Sequence, residues 1–419
     1  MRRELVKMID RRIRILYTGI ILREDWPGGE PIIAKETIEE LKKVGYEVDT
    51  AFYSPGYDSK ISKKLHITFL RQFCLKDSFR PAVAYYRKII KLKNPDIIIS
   101  QYDYDTSIIE AAKLENKKII VYVHIWWPIC PKITLYTHDK RICKGYLNNN
   151  CNKCIFSSLS ENAKRNKNYK KLLLHAIISR FFLRDSNIKV KMYNRINKLN
   201  SSDLIIVLSE EMKNFFISNG INEEKISILS NGINCEEFAY NKYDRQKIVL
   251  YAGGANELKG YKFFTKIAEN VKKAYPEIRF VATGQFRDLD KNTKYIEYPG
   301  VLERDKLIKL MCMSRVTVVP SIWNEPFSMV TIESMACGTP VVAYDVGILK
   351  EIVGNEIGGF IVPTGDVKQA AQKVIDLLNN DDLFGKMSKN ARERACRFYS
   401  NINRITSLDK MIKTITGSE

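Results

Sequence analysis

Twelve short runs rich in β-branched and aromatic residues recur along this chain of 419 residues, from RIRILYTGII near the start to GFIVP at residues 359–363. Most of these runs are followed by a helix-like stretch or by a turn. The runs are almost continuously apolar, which is typical of parallel strands that helices cover on both faces. We therefore predict an α/β protein built on doubly wound parallel sheets.

A polar stretch without a strand pattern, INCEEFAYNKYDRQ, separates the sixth run from the seventh. It predicts a domain boundary near residues 234–246, with about six strands on each side. Two doubly wound, Rossmann-like halves would face each other across a cleft, since such sheets bind ligands at the carboxyl ends of their strands. The predicted domains are 1–240 and 241–395, and residues 396–419 form an amphipathic tail that packs back across the boundary.

The chain carries a net charge of +20, which favours anionic partners such as nucleic acid, an anionic membrane face or a phosphorylated substrate. The excess is concentrated in residues 160–200, where eleven Lys and Arg stand against Glu161 and Asp185. We call residues 160–200 the basic segment and predict that it contacts an anionic surface. A solvated helical face is the alternative.

The apolar runs are too short and too interrupted to span a bilayer, because a spanning helix needs roughly 18 consecutive apolar residues. The first residues, MRRELVKMIDRRIRIL, are charged from the second position and lack the apolar stretch of a secretory signal. We therefore expect a cytoplasmic protein that associates peripherally with the cytoplasmic membrane face.

Residues 324–343, NEPFSMVTIESMACGTPVVA, contain two glutamates separated by seven residues, Glu325 and Glu333. A buried strand is predicted before them, and a helix is predicted from near Ser328 to Gly338. The amino end of that helix would present unpaired amides to an anion such as a phosphate. A carboxylate on each side can accept hydrogen bonds from vicinal sugar hydroxyls. The pattern indicates a ligand in which a pyrophosphate joins a sugar to a ribose.

The longer stretch EPFSMVTIESMACGTPVVAYDVGILKEIV resembles the signature of the retaining family-4 glycosyltransferases of GT-B fold. Other segments resemble the same family: SDLIIVLSEEMKNFFISNGINEEKISILSNGINCEEF, YAGGANELKGYKFF, GFIVPTGD and the N-terminal WPGGEPIIAKETIEELKKVGYEV. The resemblance covers most of the chain outside residues 55–90 and 155–200. It implies an acceptor-binding N-terminal domain and a C-terminal domain that binds the nucleotide sugar.

The resemblance also implies roles for individual residues. Glu333 would bind the ribose hydroxyls of the nucleotide, and Lys259 would reach the diphosphate as a flexible point charge. Glu325 and His124 are the implied catalytic residues, with His124 facing the cleft opposite Glu325 and contacting the donor sugar; a histidine packed at the strand end is the alternative. The implied donor-binding set adds glycines and helix amides: Gly28, Gly29, Gly253, Gly254, Gly284, Phe327, Ser328, Met329 and Val330.

Three positions differ from what the family usually has. Gly254 stands where an Arg is usual, so either another cation substitutes or the donor phosphate is held less tightly. Ile348 replaces the second of two adjacent glycines after Gly347. Ser328 stands where relatives often have Gly, and Ser is small enough to fit and can cap the helix.

Four of the nine cysteines, Cys130, Cys143, Cys151 and Cys154, lie close together in the sequence. Four thiols that end in Cys-x2-Cys can bind Zn²⁺ tetrahedrally. A structural metal, disulfides and free thiols all remain open, although disulfides are rare in a reducing cytosol. Some family-4 glycosyltransferases carry a similar insertion, which implies a structural pin on an acceptor-side loop at about residues 130–155. No cofactor or divalent metal is expected to be required for catalysis.

The implied function is a hexosyltransferase reaction from a nucleotide-sugar donor to a lipid-linked or polymeric glycan acceptor, with retention of anomeric configuration. The helix amides and Lys259 would stabilise the leaving nucleoside diphosphate, and a donor phosphate oxygen would take the acceptor proton on the same face. A nucleotide-sugar epimerase of related fold and a basic nucleic-acid-binding protein are the alternatives. The two glutamates with His124 favour transfer over epimerisation, and the sequence contains no recognisable nucleic-acid-binding motif.

Overall fold

The computed structural model describes residues 12–19, 30–51, 53, 80–101, 106–147, 151–165, 185–238, 240, 242–286 and 293–418. The chain divides into two compact units, Met1–Leu229 with Ile405–Glu419, and Ser230–Arg404. The division falls just before the polar stretch at residues 234–246, and the C-terminal residues belong to the first unit. Each unit contains one parallel sheet covered by helices. The prediction of two doubly wound α/β domains is confirmed.

The first unit is built on six parallel strands in the order β2-β1-β3-β4-β5-β6. The strands are β1 (Arg14–Thr18), β2 (Glu47–Ala51), β3 (Ile97–Gln101), β4 (Lys118–Tyr122), β5 (Leu204–Val207) and β6 (Ile226–Ile228). The helices in its described part are α1 (Glu30–Val44), α2 (Arg80–Lys93), α3 (Ser107–Leu114), α4 (Cys151–Arg165), α5 (Asp185–Asn200) and α6 (Glu210–Ser218). The C-terminal helix α13 (Asn401–Thr416) belongs to this unit from Ile405 onward.

Strand β3 shows why the apolar runs do not alternate with polar residues. It pairs with β1 on one side and with β4 on the other, and all five of its residues are buried. A central strand with helices on both faces has no solvent side, so the first three residues of β3 are all Ile, and only its last two, Ser100 and Gln101, are polar. Helix α13 is tied to this unit by the hydroxyl of Tyr46, which donates to the carboxylate of Asp409 at 2.6 Å.

The second unit contains six parallel strands in the order β12-β11-β10-β7-β8-β9. The strands are β7 (Gln246–Tyr251), β8 (Arg279–Thr283), β9 (Ile296–Gly300), β10 (Ser314–Val319), β11 (Val341–Tyr344) and β12 (Gly359–Val362). The helices in its described part are α7 (Tyr261–Ala274), α8 (Arg304–Met313), α9 (Met329–Ala336), α10 (Leu349–Val353), α11 (Val367–Asn379) and α12 (Asp381–Phe398).

Local signals set the helix starts in this unit. The side chain of Asp366 accepts the amide of Gln369 at 2.9 Å and caps α11, and Asn380 caps α12 in the same way. The core of the unit forms where α7 packs its apolar face on the sheet, with Phe264 and Phe280 fully buried. Across the described residues of both units, none of the helices has the length and apolar content to cross a membrane.

A disulfide joins Cys235, in a short 3₁₀ turn at Cys235–Glu237, to Cys396 in α12. These two cysteines lie 161 residues apart and belong to the scattered set rather than to the cluster. The bond therefore fixes the first residues of the second unit to one of its last helices.

Candidate functional site

The candidate site lies at the topological switch point of the second sheet. The first strand of this unit, β7, has β8 on one side and β10 on the other, so the chain leaves β7 and β10 into neighbouring loops at the same sheet edge. Ligands of doubly wound sheets bind in the crevice that such a reversal opens. The loop after β7 carries Lys259, and the loop after β10 carries Glu325.

The two loops are packed directly on each other. The amide of Ile322 donates to the carbonyl of Leu258 at 2.9 Å. Gly260 has a positive φ of 80°, and a Cβ there would overlap the carbonyl oxygen of Pro320. Only glycine therefore permits both this conformation and this close approach. The Lys259 backbone is held at a fixed distance from the loop that carries Glu325.

Lys259, Glu325 and Trp323 form one cluster. The ammonium of Lys259 forms an ion pair with Oε1 of Glu325, and the indole N–H of Trp323 donates to Oε2 of Glu325 at 2.7 Å. The same ammonium lies 5.4 Å from the centroid of the Trp323 ring, within the range of a cation–π contact. The Glu325 side chain is 1% exposed, whereas that of Lys259 is 36% exposed. The two predicted residues are thus brought together, but as partners of each other.

The backbone of Glu325 is held from the opposite side. Its carbonyl accepts the amide of Ile348 at 3.1 Å. Gly347 has a positive φ of 52°, and a Cβ there would overlap the backbone of Glu325. Ile348, which replaces the glycine usual at that place, is buried and provides the donor. The loop thus accommodates this departure from the family pattern.

Helix α9 begins at Met329 with Ser328 at the N-cap position. The prediction that the Ser328 side chain caps the helix is wrong, because its hydroxyl accepts from the hydroxyl of Thr331 at 2.7 Å and makes no capping hydrogen bond. The first amides of a helix have no intrahelical partner, and binding of an anion by the amides of Phe327 to Val330 stays a prediction. Ser334 fixes the helix to β10 by donating to the hydroxyl of Thr317 at 3.0 Å.

Glu333 has a cationic partner that the sequence did not indicate. Arg304, at the start of α8, donates to Oε1 of Glu333 at 3.2 Å and to the carboxylate of Glu237 at 3.0 Å. The Glu333 side chain is largely buried, and that of Arg304 is partly exposed. Arg304 thus links the 3₁₀ turn at Cys235–Glu237 to the helix that carries Glu333.

Gly253, Gly254 and Gly284 lie together where β7 and β8 end. The amide of Gly254 donates to the carbonyl of Thr283 at 3.0 Å, and a Cβ on Gly284 would lie 2.7 Å from the Gly254 backbone. Gly254 also has a positive φ of 61°. An Arg at this position would be strained in this conformation. Tyr251 donates to the Gly254 carbonyl at 3.0 Å, and burial raises the pKa of its hydroxyl.

His124 lies in the first unit, two residues after β4, at the carboxyl edge of that sheet. It is 4% exposed, and its ring lies 4.2 Å from the ring of Tyr122. Its relation to Glu325 and its contact with a donor sugar stay predictions. Gly28 and Gly29 lie outside the described residues.

None of the four clustered cysteines, all of which lie in the described residues, forms a disulfide in this structure. The Sγ of Cys154 lies 3.5 Å from Nδ1 of His138, and burial raises the pKa of Cys143 to about 11. Within the described ranges, no three His, Cys, Asp or Glu side chains are arranged as a metal site. The structural zinc stays a prediction, whereas the alternative of disulfides within this cluster is wrong here.

The basic segment is described only in part, since residues 166–184 lie outside the described ranges. Arg195 in α5 is one of the eleven basic residues of this segment, but it is buried and does not contribute to an exposed basic face. Arg195 donates to the carbonyl of Trp127 at 2.5 Å and lies over the Trp127 ring. Lys198 pairs with Glu110 at 2.8 Å. Lys189 is exposed.

Trp323 and Arg304 are the site residues that sequence reasoning missed. Trp323 lies two residues before Glu325, and this short distance along the chain was the only feature of the sequence that could have indicated the contact between them. Arg304 is distant in sequence from Glu333 and lies on a different helix, so no local pattern could pair them.

Two sequence models match the chain. The one described as Glycosyltransferase Family 4 matches residues 27–237, and the one described as Glycosyl transferases group 1 matches residues 234–394. The first match alone covers half of the chain, and the two together extend over both units. The chain therefore belongs to glycosyltransferase family 4.

Individual relatives are similar over shorter stretches. The putative glycosyltransferase YtcC of Bacillus subtilis is 29% identical over 164 residues, which cover 35% of this chain and 40% of that protein. A D-inositol 3-phosphate glycosyltransferase of Saccharomonospora viridis is 39% identical over 110 residues, covering 26% of this chain and 25% of that protein. The chain thus spans about two-fifths and about a quarter of the length of these relatives.

Solved structures resemble the whole fold. Sucrose-phosphate synthase from Thermosynechococcus elongatus superposes with a TM-score of 0.68 at 18% identity, covering 97% of this chain and all of that one. HepE of Anabaena, solved in complex with UDP-glucose, superposes with a TM-score of 0.63 at 15% identity, covering 96% of this chain and all of that one. At such identities the likeness shows the fold alone, which is the predicted GT-B fold.

Proposed function

We propose that this protein is a retaining hexosyltransferase that uses a nucleotide-sugar donor and a lipid-linked or polymeric glycan acceptor. The observation that carries the proposal is the cluster at the switch point of the second sheet. Lys259 and Glu325 meet there beside the amino end of α9, the helix that holds Glu333. Membership of family 4 supports a transferase, and the UDP-glucose complex of HepE supports a nucleotide-sugar donor.

Each part of the donor has a proposed partner in this unit. The first amides of α9 and the ammonium of Lys259 bind the diphosphate, since both present positive charge to an anion. Glu333 accepts hydrogen bonds from the ribose hydroxyls, and Glu325 accepts them from the transferred sugar. Gly253, Gly254 and Gly284 let the nucleotide approach the main chain closely.

The proposed chemistry rests on stabilising the leaving group. As the glycosidic bond to the diphosphate breaks, negative charge grows on the phosphate oxygens and positive charge grows on the sugar ring. The helix amides and Lys259 stabilise the first, and the carboxylate of Glu325 stabilises the second. In the same-face displacement that the family resemblance implies, the acceptor hydroxyl oxygen bonds to the anomeric carbon, and a donor phosphate oxygen takes the proton of that hydroxyl.

A panel of nucleotide sugars tests the donor in a thermal-shift assay. A ligand present at 100 times its dissociation constant stabilises the folded protein by about 2.7 kcal/mol. Incubating the best ligand with glycan acceptors and assigning the product anomer by NMR then tests retention. A product of inverted configuration refutes retention, and conversion of the donor sugar to its epimer without an acceptor supports the epimerase alternative instead.

We further propose that the protein attaches peripherally to an anionic membrane face through its basic segment. In support, α5 exposes Lys189 together with the apolar side chains of Val190 and Tyr193. Each basic residue near an anionic surface contributes about 1 kcal/mol, so a few suffice for reversible attachment. Flotation with anionic liposomes should show binding at low salt and release at high salt. Salt-insensitive binding, or none, contradicts the electrostatic attachment.

A further inference from the structure

Glu325 receives two donors, one on each carboxylate oxygen. The Lys259 ammonium contacts Oε1, and the indole N–H of Trp323 contacts Oε2 at 2.7 Å. The two donors also touch each other through the 5.4 Å cation–π contact. Because Glu325 is 1% exposed, its charge depends on these two neighbours rather than on water.

The proposed function requires one of these donors to serve a second anion. Lys259 has the more exposed side chain of the ion pair, and a lysine ammonium on a four-carbon stem can move between nearby anions. A donor diphosphate at the amino end of α9 presents more negative charge than a single carboxylate. Binding of the donor would therefore draw Lys259 away from Glu325, and a buried carboxylate that loses a cationic partner is strongly destabilised.

We propose that Trp323 is the positioning residue that holds Glu325 in place while Lys259 moves to the diphosphate. The indole N–H stays hydrogen-bonded to Oε2 of Glu325. When Lys259 leaves, Oε1 can accept a hydrogen bond from a hydroxyl of the transferred sugar. The sugar then replaces Lys259 as the second donor. This inference rests on the proposed function and assigns the two oxygens of Glu325 to different partners.

The surroundings of Trp323 suit this role. Its neighbour Ile322 donates to the Leu258 carbonyl, and Glu325 accepts from Ile348, so the backbone on both sides of Trp323 is hydrogen-bonded. The indole has two rotatable bonds and is partly buried, so holding its N–H against Oε2 costs little conformational entropy. The face of the Trp323 ring also attracts the Lys259 ammonium by a cation–π contact, which Lys259 breaks when it moves to the diphosphate and forms again when the diphosphate leaves.

The variant Trp323→Phe keeps the aromatic face and removes the N–H. We expect kcat to fall about 10- to 100-fold, the loss of one hydrogen bond to a charged group. The dissociation constant of the nucleoside alone should stay within about threefold of the wild-type value, because a ligand without phosphates does not draw Lys259 away from Glu325. Trp323→His, which can place Nε2–H near the position of the indole N–H, should recover part of kcat. A fall in nucleoside affinity parallel to kcat, or an unchanged kcat, overturns the proposal.

The NMR signal of the Trp323 indole N–H in the whole protein reports on this hydrogen bond directly. A purely structural role of Trp323 would not make this signal respond to the donor. The chain has four tryptophans, so the indole cross-peak absent from Trp323→Phe identifies Trp323. That peak should shift in Glu325→Gln without any ligand, and it should shift in the wild type when the nucleotide sugar is added. If the Trp323 peak does not shift in Glu325→Gln, the hydrogen bond between Trp323 and Glu325 is refuted. A wild-type protein that binds no nucleotide sugar refutes the proposed function instead.

Discussion

Replacing Glu333 with Gln tests the carboxylate assigned to the ribose. The substitution keeps the size of the side chain and one acceptor oxygen but removes the charge. Arg304 contacts Oε1 of Glu333 at 3.2 Å and also holds Glu237, so the guanidinium keeps a carboxylate partner in the variant. The protein should therefore fold with little loss of stability.

The expected loss of donor affinity follows from the environment of Glu333. Its side chain is only 12% exposed, so water replaces the lost interaction poorly. Hydrogen bonds to a charged group contribute about 1.5 to 3 kcal/mol, roughly twice those between neutral groups. We expect a loss on the order of 1.5 to 3 kcal/mol, which raises the dissociation constant about 10- to 100-fold.

Isothermal titration calorimetry with the nucleoside diphosphate measures this change without the chemical step. Glu393→Gln is the matched control, because Glu393 lies on α12 with an exposed side chain that pairs only loosely with Lys389 at 3.9 Å. The control should bind as the wild type does. If Glu333→Gln binds the nucleotide with unchanged affinity, Glu333 does not contact the ribose.

Three further outcomes are expected. Glu325→Ala should depress turnover more than donor binding, since its partner is the sugar that develops charge; a full transfer rate would contradict that role. His124→Ala should cut transfer at least 10²-fold, about 2.7 kcal/mol in the barrier, with normal nucleotide binding. If binding and melting temperature fall together, His124 is a core residue. The Cys235–Cys396 disulfide closes a loop of 161 residues. The lost loop entropy of the unfolded chain should stabilise the folded protein by about 5 kcal/mol. Reductant should lower the melting temperature of the wild type but not of Cys396→Ser, and an insensitive wild type contradicts the bond.

Local sequence was sufficient for the strands of both sheets. Each of the twelve runs overlaps an observed strand. The central strands have a continuous apolar pattern because both of their faces are buried, whereas the edge strands β2 and β9 are mostly not buried and their runs are more polar. The polar stretch at residues 234–246 lies close to the observed division after Leu229 for a related reason: a segment between two cores has little apolar surface to bury.

The start signal near Ser328 and the stop signal at Gly338 predicted a short helix, and the structure has α9 from Met329 to Ala336. Glycines and proline end helices through their own backbone limits, so this signal is carried by the residues themselves. The prediction that the Ser328 side chain caps α9 was wrong because a hydroxyl has several possible partners. In the structure the Ser328 hydroxyl accepts from the nearby Thr331 hydroxyl.

The partners of the charged groups were decided by the tertiary structure. Nothing local joins Lys259 to Glu325, Arg304 to Glu333, Arg195 to Trp127 or Cys235 to Cys396, since each pair comes together only when separate strands and helices pack. The spacing of apolar residues indicates which face of a helix or strand is buried. This information is local, because it depends only on a few neighbouring residues along the chain. Which distant side chain meets a buried charge depends on strand order, and here the reversal between β7 and β10 places Lys259 against Glu325.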